Sequence, residues 1–198
     1  MRTTVIEACW ALVVVVWIGG AIYGSRRSPP ASRRASGEGS GWRVALFILA
    51  VLLLHFAKRD LQGLSTGSWW VALPGLAVLL AATAFTIWAR VSLGLMWSMS
   101  PDTLQQDHRL RTSGPYAVTR HPIYTGLLGM LLGTTLLDGF GASLVVFVVG
   151  AIFCAIRIPV EERLMTATFP EEYPLYRQHV PRLVPGLKRR RQPKATTL

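Results

Sequence analysis

Arg120-His121-Pro122-Ile123-Tyr124 sets a guanidinium, an imidazole and a phenol side by side, with a second phenol, Tyr116, four residues upstream of Arg120. A planar guanidinium suits a carboxylate or a phosphate. An imidazole can hold or accept a proton. Pro122 fits the first position of a helix, whose free amides would favour an anionic group nearby. A second cluster is Glu161-Glu162, adjacent carboxylates that suit a cationic ligand. Arg157 precedes Glu161 by four residues and can pair with it on one helix face. A third is Tyr173, Tyr176, Val180, Pro181, Arg182 and Pro185. Its tyrosines share a face at i, i+3, and Arg182 could hold a carboxylate or a phosphate. Simpler readings stand beside these. Tyr116, Arg120 and His121 would also serve as lipid-facing anchors at an interface, and the two glutamates as solvated charges.

The inventory does not suggest a metal. His55, His108, His121 and His179 form no HxxxH or HExxH pair, and Cys9 and Cys154 lie far apart in apolar runs. Nor does it suggest a hydrolytic triad. The stretch 109–133 reads as one half of a cofactor site, and the region of Glu161 and Glu162 as the other.

These residues must be held at a membrane. Of the 198 residues, 51% are hydrophobic and 16% charged, and mean hydropathy is +0.38. A soluble domain carries about 25% charge. The net charge of +11 would suggest nucleic acid in a soluble protein. Here the basic residues fall between apolar runs, which points to membrane topology and anionic lipid, with no nucleic-acid partner.

Runs of about 20 apolar residues mark membrane-spanning helices. Five candidates are expected, at 4–23, 42–57, 69–89, 123–137 and 142–158. The first is kept as a true span, not an export signal, because Arg26, Arg27, Arg33 and Arg34 follow it. Trp69, Trp70 and Trp88 mark interfaces, and Asp138-Gly139-Phe140-Gly141 turns the last two spans into a hairpin. Gly129 and Gly133 are expected at close helix contacts, with Gly126 open to that reading or to the site. Beyond Pro159 the chain reads as an extension of the fifth helix, a turn at Phe169-Pro170 and a short second helix. The fold class is therefore all-α integral membrane, about five transmembrane helices with a C-terminal cytoplasmic helical segment. Three divisions follow. Residues 1–89 carry three N-terminal spans with a flexible basic loop at 25–41. Residues 90–186 carry a polar loop, the hairpin and the C-terminal helices that form the site. Residues 187–198 are a basic disordered tail.

With the N-terminus outside, all of the 21 Lys and Arg residues except Arg2, Lys58 and Arg59 fall on the cytoplasmic side or in the final helical stretch that leads there. The same orientation puts the 90–122 connection and Glu161-Glu162 on one side. The expected location is a bacterial inner membrane, with the site and the C-terminus cytoplasmic.

At these residues the sequence resembles a known family. GPYAVTRHPIYTG, EERL, and FPEEYPLYRQHVPRLVP resemble the isoprenylcysteine carboxyl methyltransferase family and its prokaryotic relatives. RVSLGLMWS resembles the LGxxWS element of the prokaryotic members. The match covers residues 90–186 in the family's order; Phe169-Pro170 departs from the Phe-Gly of many members. The resemblance implies S-adenosyl-L-methionine as cofactor and methyl transfer to a lipophilic or lipidated substrate, an isoprenylcysteine-type carboxylate or similar, with membrane lipids as surroundings. Carried over, Tyr116, His121, Pro122, Tyr124, Glu161, Glu162, Tyr173 and Tyr176 would bind the cofactor. Arg120, His121, Glu162 and Arg182 would serve the reaction. Glu162→Gln or His121→Ala is expected to weaken cofactor binding without unfolding the protein. Two alternatives share the architecture, a phospholipid or amine N-methyltransferase and an NADPH-dependent sterol-type reductase. A third reading is a scaffold without enzyme activity.

Overall fold

A computed structural model describes residues 1–27, 68–93 and 110–186. Within them lie six helices: α1 (Arg2–Arg27), α2 (Trp69–Leu93), α3 (Pro115–Val118), α4 (Pro122–Asp138), α5 (Ala142–Thr168) and α6 (Glu172–His179). No strand occurs among the described residues. The expected span at 42–57, most of the basic loop and the 187–198 tail lie outside them.

The chain is an all-helical membrane protein. Arg2–Gly20, Trp69–Leu93 and Ala142–Thr168 are each long and apolar enough to cross a bilayer. Their outward faces carry Val14, Val15 and Ile18 on α1, Leu73 and Leu80 on α2, and Val148, Ile152 and Ile156 on α5, all exposed. Exposed aliphatic faces of this kind are stable against lipid tails. Helix α4 has 17 residues. At 1.5 Å per residue it is about 25 Å long, short of the ~30 Å hydrocarbon core. Its N-terminal end therefore brings polar groups to the membrane edge.

Small residues set how closely α2 and α4 pack. A Cβ on Gly133 would lie 2.6 Å from the backbone nitrogen of Leu79, and one on Gly75 2.8 Å from Leu136 Cβ. A Cβ on Gly129 would come within 2.8 Å of Ala82 Cβ, and one on Gly126 would overlap Thr86. All three α4 glycines are thus contact residues, Gly126 included. Helix α1 packs on this pair. Ile6, Cys9 and Val13 share a buried cluster with Ala72, Leu79, Ala82, Met130 and Leu137, and Trp10 Nε1 donates to Thr134 Oγ1 at 3.2 Å. Helix α5 folds back on α4, with Gly150 making room for Leu131. The turn between them uses Gly139 at φ 102, in the left-handed half of backbone space that glycine tolerates. Thr135 Oγ1 ties it down by donating to the Ser143 carbonyl at 3.0 Å.

One boundary differs from the sequence expectation. Helix α2 continues past residue 89 to Leu93. Arg90 therefore lies on the helix and not in a loop, buried at 3% exposure with its guanidinium over Gly20 of α1. Helix α5 runs through Pro159 to Thr168, the extension expected from the sequence, and Phe169-Pro170 then turns the chain into α6. Proline removes one backbone donor. The following turn carries Glu162, which pairs with Arg120 and Arg182 of neighbouring segments.

Candidate active site

The end of α5 meets the start of α4 at one membrane edge. Glu162 lies 20 residues into α5, about 30 Å along its axis, one hydrocarbon thickness from the Ala142 end. Helix α4 begins there with His121 as N-cap and Pro122, fully buried, at its first position. Tyr116 stands on α3, entered through Gly114 at φ 64, a conformation that again favours glycine.

The third component is the segment after α6. It lies along the start of α4 through four hydrogen bonds. Arg120 N donates to Pro181 O at 2.9 Å and His121 N to Arg182 O at 3.2 Å. Thr119 Oγ1 donates to Arg182 O at 2.8 Å and Thr125 Oγ1 to Leu183 O at 2.7 Å. This strap brings Arg182 to Glu162.

Glu162 is the hub. It is 4% exposed and accepts from Arg182 through Nε at 3.2 Å and Nη2 at 2.6 Å. Arg120 Nη2 lies 3.0 Å from its Oε1. His121 Nε2 lies 3.5 Å from the same oxygen, buried and without a hydrogen-bond partner, as is Arg120 Nε. Glu161 faces a second group. Tyr124 donates its hydroxyl to Oε1 at 2.5 Å, Arg157 Nη2 lies 3.6 Å from that oxygen, and His121 Nδ1 is 3.8 Å from Oε2. His121 thus stands between the two carboxylates. Glu161 is the more open of them, at 22% exposure.

The tyrosines close the site from α3 and α6. Tyr173 and Tyr176 lie on one face, ring centroids 5.9 Å apart, both buried. Tyr176 donates to the Tyr116 carbonyl at 2.5 Å. Burial pushes the Tyr173 phenol up to about 12, and Glu162 adds to the rise. Burial also raises Tyr116, opposed by Arg90 and Arg111, and raises Tyr176. At neutral pH these rings are therefore hydrogen-bond donors. Burial lowers the Arg120 pKa against the pull of Glu162, and the Glu162 hydrogen bond raises that of Arg182. Both stay cationic. Tyr176→Phe should cost about 1–3 kcal/mol of stability, by stranding a buried carbonyl. Thermal melting in detergent reads this, and an unchanged midpoint would contradict it.

All of the residues singled out in the sequence gather here: Tyr116, Arg120, His121, Pro122, Tyr124, Glu161, Glu162, Tyr173, Tyr176 and Arg182. Three contributors were missed. Thr119 and Thr125 hold the strap, and their partners lie 63 and 58 residues away, so no local pattern marks them. Arg90 did carry a signal, a charge flanked by Trp88, Ala89 and Val91 inside an apolar run. Among the described residues no group of His, Cys, Asp or Glu is arranged to hold a metal ion.

A family model described as phospholipid methyltransferase matches residues 70–172. Protein-S-isoprenylcysteine O-methyltransferase B of Arabidopsis thaliana is 32% identical over 119 residues, covering 59% of this chain and 60% of that protein. Protein-S-isoprenylcysteine O-methyltransferase A of the same plant is 32% identical over 143 residues, covering 71% and 73%. Among solved structures, the eukaryotic intramembrane Ras methyltransferase ICMT (isoprenylcysteine carboxyl methyltransferase) superposes with a TM-score of 0.56 at 21% identity. That match covers 76% of this chain and 55% of the other, and it shows a shared fold.

Proposed function

The chain belongs to the phospholipid methyltransferase family, together with the isoprenylcysteine O-methyltransferases, and we propose that it is an S-adenosyl-L-methionine-dependent membrane methyltransferase. Its acceptor would be a lipophilic or lipidated molecule ending in a carboxylate. The observation that carries this is the Arg120–Glu162–Arg182 cluster at the membrane edge, beside Glu161 and His121.

The residues fit the cofactor. Its amino-acid end carries an ammonium and a carboxylate, which match Glu161 or Glu162 on one hand and Arg182 on the other. The buried His121 Nε2 and Arg120 Nε without partners offer further polar contacts. The rings of Tyr116, Tyr124, Tyr173 and Tyr176 would form the walls, and aromatic faces favour a cation. When bound, the cofactor supplies an electrophilic methyl group on a sulfonium.

Positioning then does most of the work. Arg120, Arg157 and Arg182 outnumber the two glutamates, so the cluster carries net positive charge and favours an anionic acceptor. A carboxylate is already ionised and needs no base. An amine acceptor would need one, and His121, between the glutamates, is the residue placed to serve. The acceptor would reach the site laterally from the bilayer and the cofactor from the cytoplasm. The excess of basic residues on the site's side supports that orientation, in a bacterial inner membrane.

Titration of the detergent-solubilised protein tests the cofactor. S-adenosylhomocysteine should bind and NADPH should not. NADPH binding without S-adenosylhomocysteine binding would favour the sterol-type reductase reading instead. His121→Ala should weaken S-adenosylhomocysteine at least about tenfold, the loss of one charge-assisted contact. Unchanged affinity would remove His121 from the site.

A further inference from the structure

Glu162 has more cationic partners than one carboxylate needs, and they are not equivalent. Arg120 is buried with it, its guanidinium on Glu162 at 3.0 Å and its backbone N–H on Pro181 O at 2.9 Å. Arg182 is 45% exposed. The strap that carries it is held by backbone oxygens of Pro181, Arg182 and Leu183, none of which involves the Arg182 side chain. The guanidinium can therefore swing away without undoing the strap. Arg120 cannot leave without stranding a charge inside the protein.

We propose that Arg182 is an internal stand-in for the ammonium of an amino-acid ligand, exchanged for it on binding. This rests on the reading of the site as a cofactor pocket. Arg182 caps Glu162 and keeps the buried carboxylate compensated. An incoming α-amino acid group places its ammonium on Glu162 and displaces the guanidinium. The freed guanidinium then pairs with the ligand's carboxylate, which lies two bonds from the ammonium nitrogen. One ion pair becomes two, and no charge is left buried and unpaired. A ligand with an ammonium but no carboxylate displaces Arg182 and offers it nothing in return. Arg182 thus becomes a specificity-determining residue for a zwitterionic end group, acting as competitor before binding and as partner after it.

The exchange has a signature that a fixed structural role lacks. The probes are S-adenosylhomocysteine and its decarboxylated form, S-adenosyl-3-thiopropylamine, titrated calorimetrically into the full chain in detergent. Wild type should prefer S-adenosylhomocysteine by at least about tenfold, the worth of a charge-assisted pair. In Arg182→Ala the decarboxylated form should bind about tenfold tighter than to wild type, because its competitor is gone. S-adenosylhomocysteine, which loses a partner as well as a competitor, should change far less, so the preference collapses. Arg182→Gln should reproduce the gain with a side chain of similar polarity, which guards against a packing artefact in the alanine variant. If the decarboxylated form binds either variant no better than wild type, the proposal is overturned. If wild type binds neither probe, the cofactor reading itself fails, and the proposal falls with it.

Discussion

Glu162→Gln should abolish measurable S-adenosylhomocysteine binding and also destabilise the fold by about 3–5 kcal/mol, the cost of stranding a buried charge. From sequence alone this substitution is expected to weaken binding and leave the fold intact. Burial changes that expectation. Glu162 is 4% exposed and faces Arg120 at 3.0 Å, itself buried, so the amide would leave a guanidinium in the interior without its counter-charge. The two effects separate in a double variant. Arg120→Met with Glu162→Gln removes both charges and should recover much of the stability while binding stays lost. Thermal melts and titration calorimetry read the two. A single variant that melts like wild type would show that the Glu162–Arg120 pair does not hold the α4–α5 junction together.

Gly133→Leu should be as damaging, for a different reason. A Cβ at this position meets Leu79 backbone atoms at 2.6 and 2.8 Å. Backbone of a neighbouring helix cannot step aside as a side chain can, so α2 and α4 would have to separate. Overpacking of this kind costs about 1–3 kcal/mol and more where nothing yields. Leucine adds three further carbons, and we expect at least about 3 kcal/mol. The α2–α4 contact also places Thr86 under Gly126, one turn inside Pro122, so a shifted helix pair should impair ligand binding as well. Gly19→Leu is the matched control, because a Cβ there meets nothing within 4 Å. Equal melting temperatures for the two variants would reject close packing at Gly133.

Local features were the ones legible in the sequence. Pro122 opens α4 because its ring fits the first helical turn. Arg157 and Glu161 lie 3.6 Å apart because four residues make one helical step. Gly139 ends α4 because the turn needs positive φ. The helix beyond Pro159 was legible as an extension of the fifth span. The partners of Glu161 and Glu162 were not, because Tyr124, Arg120 and Arg182 lie outside the α5 sequence. Arg90 reads as a loop residue in the sequence because a charge in an apolar run looks like an end. Its place over Gly20 depends on α1, some 70 residues earlier in the chain. The strap itself was out of reach. Thr119, Thr125, Pro181 and Arg182 carry no pattern that announces backbone pairing across about 60 residues.

The proposed reaction is methyl transfer from S-adenosylmethionine to a lipophilic carboxylate. Its most direct test incubates the purified protein, in detergent or liposomes, with methyl-labelled cofactor and N-acetyl-S-farnesylcysteine, followed by extraction into organic solvent. Label should appear in the extract, be released as methanol by mild base as a methyl ester requires, and disappear with Glu162→Gln. Base-stable label in an amine-bearing lipid would contradict the carboxylate assignment. No transferred label with this acceptor or with a total lipid extract, from protein that binds S-adenosylhomocysteine, would contradict the claim that the chain is a methyltransferase.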